Sequence, residues 1–491
     1  MRPNILVFYT DQQRQDSLGC YGNVIAQTPH LDALAQRGLL FHNHYVSNPV
    51  CMPSRASFFT GRHLQAHRLI DNGIPLPETE KTLPAVLAEH GYQTHSVGKI
   101  HLTPYLAPLE SGCKESWAVW RSGALDQWNG PYYGFERVRL TLGHGDVPFT
   151  AGGHYARWIR ERVKEPERLA AAACEAHKKQ PYRSIVPVEL YPSTYVAEEA
   201  IRFLRERDRK RPFFLYASFP DPHAPFTPPT AYAERFAAAN FPKPHRREGE
   251  HDNRPFHYRK AMTERLFPED GGAHCPRNLS ADNWRQIYAA TYGMVSLIDE
   301  CVGRVLACLE AEGLAANTFV VFTSDHGDFL GDHFFLYKGP LPCRSLLNVP
   351  FILAGPGCRA GATQTVMSNV DVMPTLLDLV GLAQPATVQG RSFKPVTAGT
   401  AELDEAPALC CGWSKDSPQY YHQSLYFSHW RITYFPFQDD GELYDLERDP
   451  HELCNLYHAP EQRAVRVELL ERLLKELGRA EPCRPPVISP W

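Results

Sequence analysis

The chain has 491 residues, of which 22% are charged and 43% hydrophobic, with a formal net charge of −4. That length is ample for a large core and more than one domain, and the charge excludes the strongly basic balance that nucleic-acid or anionic-membrane binding needs. Thirteen cysteines lie dispersed without paired or zinc-ligand spacing, which in a chain of this size reads as reduced thiols in the cytosol. No charged leader with a cleavage site and no apolar run of bilayer length is seen, so a soluble, cytoplasmic protein is expected.

Residues 5–10 form a short apolar run of the kind that builds a buried parallel strand, and it closes on Asp11-Gln12-Gln13. Parallel strands gather ligands at their carboxyl ends, so Asp11 reads as a metal ligand or as a turn or cap carboxylate. A helix is predicted from Pro29, capped by Thr28 and stopped at Gly38. An extended segment then leads to Cys51-Met52-Pro53-Ser54-Arg55 and on to Thr60-Gly61-Arg62. Pro49 and Pro53 put Cys51 in the turn just ahead of a helix N-terminus, where free N–H groups favour anions, with Arg55 one turn further on the same face. A buried structural cysteine beside a capped helix is the bland alternative.

A second capped helix, 82–91, precedes a strand at 93–97 that ends on Gly98-Lys99-Ile100-His101. On an extended segment Lys99 and His101 project to one side, an ammonium beside an imidazole; a solvated loop pair is the other reading. Residues 103–195 are rich in aromatic and turn residues, Gly143-His144-Gly145 among them, and read as loops that shape a pocket. A helix near 193–208 leads to a buried strand, 212–219, and then to Pro220-Asp221-Pro222-His223-Ala224-Pro225, where flanking prolines hold the histidine rigidly. The polar stretch 236–285 reads as a long excursion, a lid or a subunit contact.

Helix 283–312 carries apolar residues at helical spacing, and strand 318–324 ends on Asp325-His326-Gly327-Asp328, either a plain turn or further metal ligands. Tyr337-Lys338-Gly339-Pro340, a strand at 349–355 and a capped helix at 371–381 follow. Beyond about 385 the character changes to strand-like segments at 408–413, 424–428 and 430–437 and an amphipathic helix at 461–478.

The pattern C-x-P-S-R followed by T-G-R resembles the signature of the formylglycine-dependent (type I) sulfatases, of the alkaline-phosphatase-like superfamily. Lys99-x-His101, Asp325-His326 and Lys338 stand where that family has matching residues. The resemblance implies an α/β fold: a large mixed, mostly parallel sheet sandwiched by helices over 1–384, then a smaller C-terminal antiparallel sheet plus helix over 385–491. It implies an enzyme, a sulfuric-ester hydrolase acting on a sugar, aryl or other small organic sulfate monoester. Cys51 would be oxidised to formylglycine (3-oxoalanine), whose aldehyde hydrate is the nucleophile.

In that reading Asp11, Gln12, Asp325, His326 and the modified Cys51 hold one divalent cation, Ca²⁺ ahead of Mg²⁺ or Mn²⁺. Arg55 fixes the hydrate, and Lys99 and Lys338 neutralise the sulfuryl group. His223, with Lys338, protonates the leaving oxygen, and His101 takes a proton when the sulfated hydrate collapses. Asp-Gln stands where many members have Asp-Asp, and Asp-His where many have Asp-Asn. The implied partners are a small-molecule or carbohydrate sulfate ester and, during maturation, a formylglycine-generating enzyme. Neither nucleic acid nor membrane is expected, and a homo-oligomer is compatible with the chain. A phosphonate monoester or phosphodiester hydrolase on the same scaffold is the alternative, against which the Lys99 and His101 pair argues.

Overall fold

The apolar run near the N-terminus becomes the middle of the main sheet. In the computed structural model, which describes residues 2–266, 273–403, 406–414 and 418–481, Asn4–Asp11 (β1) is buried at every position. The strands that follow are Leu39–Phe41 (β2), His44–Tyr45 (β3), Gln93–Gly98 (β4), Arg137–Leu140 (β5) and Phe213–Pro222 (β6). Thr318–Ser324 (β7), Phe351–Ala354 (β8), Gly361–Thr363 (β9) and Met367–Ser368 (β10) complete this part. Eight of them form one sheet in the order β5-β4-β6-β1-β7-β8-β2-β9, while β3 and β10 pair separately. The first five in that order are mutually parallel, and β8 alone of the eight runs against its neighbours.

Alternation along β1 explains the layers. Ile5, Val7 and Tyr9 pack in one core with Met52, Phe58 and Phe59 of helix Cys51–Thr60. Leu6 and Phe8 pack in the other with Val295, Ile298 and Val302 of helix Ala281–Ala311. Both faces are covered, which is why this strand reads as a continuous apolar run rather than an alternating one.

Ala408–Gly412 (β11), His422–Phe427 (β12), Trp430–Phe435 (β13) and Asp440–Asp445 (β14) make a second, antiparallel sheet. Helix Arg463–Ala480 covers it through Leu469 and Leu473, which meet Leu425, Ile432 and Leu443. The second sheet meets the β3 segment, where Tyr45 stacks on Tyr426 at 3.8 Å and the Cys411 N–H donates to the Ser47 carbonyl at 3.0 Å.

Several expectations change in detail. Strand β6 runs on to Pro222, β14 was not among the expected strands, and 103–195 holds β5 and the helices Gly153–Arg162 and Pro166–Lys179 besides loops. The excursion at 236–285, of which 267–272 lie outside the described residues, packs on the second sheet: Arg254 donates to the Tyr444 hydroxyl at 2.8 Å and pairs with Glu442. Within 385–491, residues 404–405, 415–417 and 482–491 also lie outside the described residues.

Candidate active site

Five adjacent parallel strands end at one edge of the sheet, and each brings one side chain to the same place. His144 follows β5, Lys99 follows β4, His223 follows β6, Asp11 closes β1 and Asp325 follows β7. Helix Cys51–Thr60 points its N-terminus at that spot. Cys51 is the first residue of the helix rather than a residue of the turn before it, because Val50, with φ −120° and ψ 142°, is the last extended residue. Pro53 lacks only an N–H that the first helical turn leaves unpaired, so the helix starts two residues before it.

Asp11, Cys51, Asp325 and His326 each offer a ligand atom, and these atoms are buried and lie within 4.8 Å of one another. Cys51 Sγ is 3.2 Å from His326 Nε2 and 3.8 Å from Asp11 Oδ1. His326 Nδ1 is 2.9 Å from the Gly327 carbonyl, which can only accept, so Nδ1 carries a proton and Nε2 is the nitrogen that a neutral ring offers as a lone pair. That nitrogen faces Asp11 Oδ1 at 3.7 Å and Asp325 Oδ1 at 3.6 Å. Electron-pair donors facing one another in a dry pocket repel unless a cation lies between them, and two carboxylates with one imidazole suit a hard or borderline divalent ion. The donor set therefore fits the metal that the resemblance implies.

Cations surround this group. Arg55 is fully buried: Nε donates to Asp325 Oδ2 at 2.8 Å, and Nη1 donates to the Lys99 carbonyl at 2.9 Å and to Ser218 Oγ at 3.1 Å. Its Nη2 lies 3.6 Å from Asp11 Oδ2 and has no hydrogen-bond acceptor among the described residues. Lys99 Nζ pairs with Asp11 Oδ2. Lys338 Nζ is 2.9 Å from Cys51 Sγ, 2.8 Å from His223 Nε2 and 3.2 Å from Gln12 Oε1.

Burial alone would raise the Cys51 thiol, but Lys338 and Lys99 outweigh it and hold Cys51 well below the usual thiol range. Burial likewise pushes Asp11 up, and Lys99, His223 and His144 hold it well below the usual carboxylate range. Gln12 adopts the left-handed conformation, φ 64°, and its backbone N–H donates to Asp325 Oδ1 at 3.0 Å. The approach to Lys338 is also bent: Leu330, His333, Phe334 and Tyr337 have φ of 44°, 55°, 69° and 68°. Residues with a β-carbon seldom adopt such angles, and strain of this kind gathers at functional loops.

His101 reaches the site by a route other than strand alternation. Its φ is 58°, so the segment after Lys99 is not extended. Instead the backbone N–H groups of His101, Leu102 and Thr103 donate to the buried Glu115 carboxylate at 2.6, 2.8 and 3.2 Å, and the ring stacks on Tyr105 at 4.0 Å. Burial, with the Lys99 charge second, lowers the His101 pKa to about 3, so the ring is a neutral base at ordinary pH. Sequence reasoning missed Glu115, and it missed His144, whose Nε2 lies 2.7 Å from Lys99 Nζ. Gly143-His144-Gly145 was legible as a turn, but no local signal tied it to β4.

Asp221, near the end of β6, accepts from Ser193 Oγ and from the Tyr191 hydroxyl, and burial pushes its pKa from 3.8 up to about 7. A carboxyl raised on folding stabilises the protein in its protonated form, fully below the unfolded value and not at all above the folded one. Stability from Asp221 therefore falls as pH rises from about 4 to about 7, by at most about 1.4 kcal/mol per pH unit. Asp221→Asn should flatten that slope in urea denaturation between about pH 5 and about pH 7; curves for wild type and variant that run parallel would contradict this.

The family model described as Sulfatase matches residues 3–382, and one described as N-sulphoglucosamine sulphohydrolase, C-terminal, matches residues 331–479. An arylsulfatase of Clostridium perfringens is 30% identical over 499 residues, spanning 98% of this chain and 96% of that protein. An N-acetylglucosamine-6-O-sulfatase of Bacteroides thetaiotaomicron is 27% identical, over 96% of this chain and 86% of that protein. Among solved structures, the phosphonate monoester hydrolase of Agrobacterium radiobacter is similar with a TM-score of 0.80 at 25% identity, over 98% of this chain and 96% of that one.

Proposed function

The chain belongs to the sulfatase family and is a sulfuric-ester hydrolase, and from that premise we propose that it cleaves a sulfate monoester of a sugar or other small alcohol at the Cys51 pocket. Cys51 would be oxidised by a formylglycine-generating enzyme, and Asp11, Asp325, His326 and the modified Cys51 would hold one divalent cation, Ca²⁺ before Mg²⁺ or Mn²⁺. Gln12, whose Oε1 accepts from Lys338 at 3.2 Å and whose Nε2 donates to Asp328, would be a further neutral oxygen ligand. The observation that carries the reading is the convergence of two carboxylates, the His326 imidazole and Cys51 with Lys99 and Lys338 in one buried cluster.

The formylglycine hydrate supplies a nucleophilic oxygen and a second hydroxyl through which the sulfated residue can break down. A cation held by Asp11, Asp325, His326 and residue 51 would supply positive charge to the site. The chain's own residues do the rest. Arg55 Nη2, which has no hydrogen-bond acceptor among the described residues and lies 3.6 Å from Asp11 Oδ2, would hold an oxygen of the hydrate. With residue 51 as the neutral hydrate, Arg55, Lys99 and Lys338 outnumber Asp11 and Asp325 by one charge, which suits an ester monoanion. Lys338, donating to His223 Nε2, keeps a proton within reach of the leaving oxygen. His101 is the neutral base for the breakdown step, its backbone held by Glu115.

The test is turnover of an aryl sulfate and an aryl phosphonate by the aldehyde-bearing enzyme, before chelation, after it, and after Ca²⁺ is returned. Sulfate turnover should exceed phosphonate turnover, disappear with the chelator and come back with Ca²⁺. An aldehyde-bearing enzyme inert toward sulfate esters but active on phosphonates would establish the second reading, which the likeness to the phosphonate hydrolase favours and the Lys99 and His101 pair opposes. No helix among the described residues is long and apolar enough to cross a membrane. We assign the enzyme to the cytoplasm because its dispersed cysteines suit a reducing compartment, and we divide it into a catalytic unit at 1–384 and a small C-terminal unit at 385–491.

A further inference from the structure

The two lysines of the pocket are held in the same way from opposite sides. Lys338 Nζ donates to His223 Nε2 at 2.8 Å, and Lys99 Nζ donates to His144 Nε2 at 2.7 Å. The two imidazoles lie face to face, with centroids 3.7 Å apart and planes 13° apart. The result is a continuous arch from Asp11 through Lys99, His144, His223 and Lys338 to Cys51. His144 belongs to none of the roles assigned above.

The backbone around His144 is shaped for this placement. Gly143 and Gly145 have φ of 91° and 77°, and a β-carbon on Gly145 would come 2.5 Å from Pro225 Cγ. The turn thus packs directly on the segment that carries His223. Asp146 anchors the far side, accepting from His177 Nε2 at 3.0 Å, from Thr227 Oγ1 at 3.3 Å and from Ser184 Oγ. A turn tied this firmly, with a histidine at its tip aimed at a catalytic lysine, is more than a solvated loop.

We propose that His144 is a positioning residue of the hydrolytic reaction, an acceptor that orients the Lys99 ammonium and, by stacking, couples it to the His223–Lys338 pair. His144 Nε2 faces two groups, Lys99 Nζ at 2.7 Å and Asp11 Oδ2 at 3.2 Å; an ammonium has three N–H groups and can only donate, so at the shorter contact the nitrogen accepts with its lone pair. Asp11 takes one N–H and His144 a second. The third is left for the sulfuryl group, its direction fixed by the other two. A second metal on Asp11, His144 and His223 does not suit the same atoms, since both imidazole nitrogens already face an ammonium.

The inference rests on the sulfatase reading, and one assay separates the two. His144→Phe keeps the flat ring for stacking and removes the acceptor; His144→Gln restores an acceptor without the ring; Lys99→Ala supplies the background for a double-mutant cycle. At matched aldehyde content, His144→Phe should lower kcat for an aryl sulfate about 10- to 100-fold with KM little changed, because a small misplacement of a catalytic group costs that much. His144→Gln should recover most of the loss, and in the Lys99→Ala background His144→Phe should cost nothing more. Full activity of His144→Phe, an equal loss in both backgrounds, or no recovery by His144→Gln would each overturn the inference while the wild type still turns over sulfate. A wild type without sulfate turnover would remove the sulfatase reading and this inference together. Should His144→Phe not fold, His144→Ala takes its place in the same comparison.

Discussion

Cys51→Ser should react once and stop. A serine oxygen at that position keeps the surroundings of the sulfur, with Lys338 2.9 Å and His326 Nε2 3.2 Å away. It can therefore take the sulfuryl group, but a serine ester has no second hydroxyl through which to expel sulfate. We expect kcat to fall about 10⁴- to 10⁶-fold, as when a catalytic nucleophile is removed. Mixing with substrate should release about one equivalent of alcohol, and intact-mass measurement should show one sulfuryl group retained per chain. Steady multiple turnover would refute the formylglycine route. A folded variant that shows neither burst nor adduct would mean that residue 51 is not the attacking group.

Arg55→Ala should have the largest effect on stability. Arg55 and both of its acidic partners are wholly buried, and its guanidinium serves Asp325 directly and Asp11 at 3.6 Å. Removing one partner of a buried ion pair leaves the other charge uncompensated, at a cost of about 3–5 kcal/mol. The Lys99 carbonyl and Ser218 Oγ lose their donor as well. The loss should be greatest in chelator and smaller with Ca²⁺ present, because a divalent ion between the carboxylates replaces part of the missing charge. Denaturant curves of wild type and variant, with and without Ca²⁺, measure both effects. Equal stability of the two proteins in chelator would contradict the charge accounting, and an unchanged gap on adding Ca²⁺ would contradict the metal site. Arg55→Lys should rescue little, since an ammonium cannot reproduce the fork that reaches Asp325, the Lys99 carbonyl and Ser218 together.

Much of this enzyme is written locally. The apolar runs of β1, β6 and β7, the proline-marked start of helix Cys51–Thr60 and the amphipathic spacing of helix Ala281–Ala311 each follow from a few neighbouring residues. The resemblance carried by Cys51 to Arg55, Lys99, His101, His223, Asp325, His326 and Lys338 named a set of residues that the structure brings to one pocket. Its limits were also physical. His101 arrives through a left-handed residue propped by Glu115, and neither a positive φ nor a carboxylate fourteen residues away has a local signature. The strand β14 is too short to carry much periodicity, and the helices Gly153–Arg162 and Pro166–Lys179 have few large apolar residues among many charged ones, although Tyr155, Ile159, Ala170 and Ala173 face the core.

By itself the sequence determined that β1, β4, β6 and β7 are strands and that helices follow Cys51 and Ala281, and it placed Asp11, Lys99, His223 and Asp325 at the strands' ends. Only the tertiary structure decided that β5, β4, β6, β1 and β7 lie side by side in that order, so that residues from 11 to 338 meet within a few ångströms. It also decided that His144 rather than solvent accepts from Lys99. The reason is that strand identity depends on a few adjacent side chains, whereas strand order and the pairing of buried charges depend on packing between segments hundreds of residues apart.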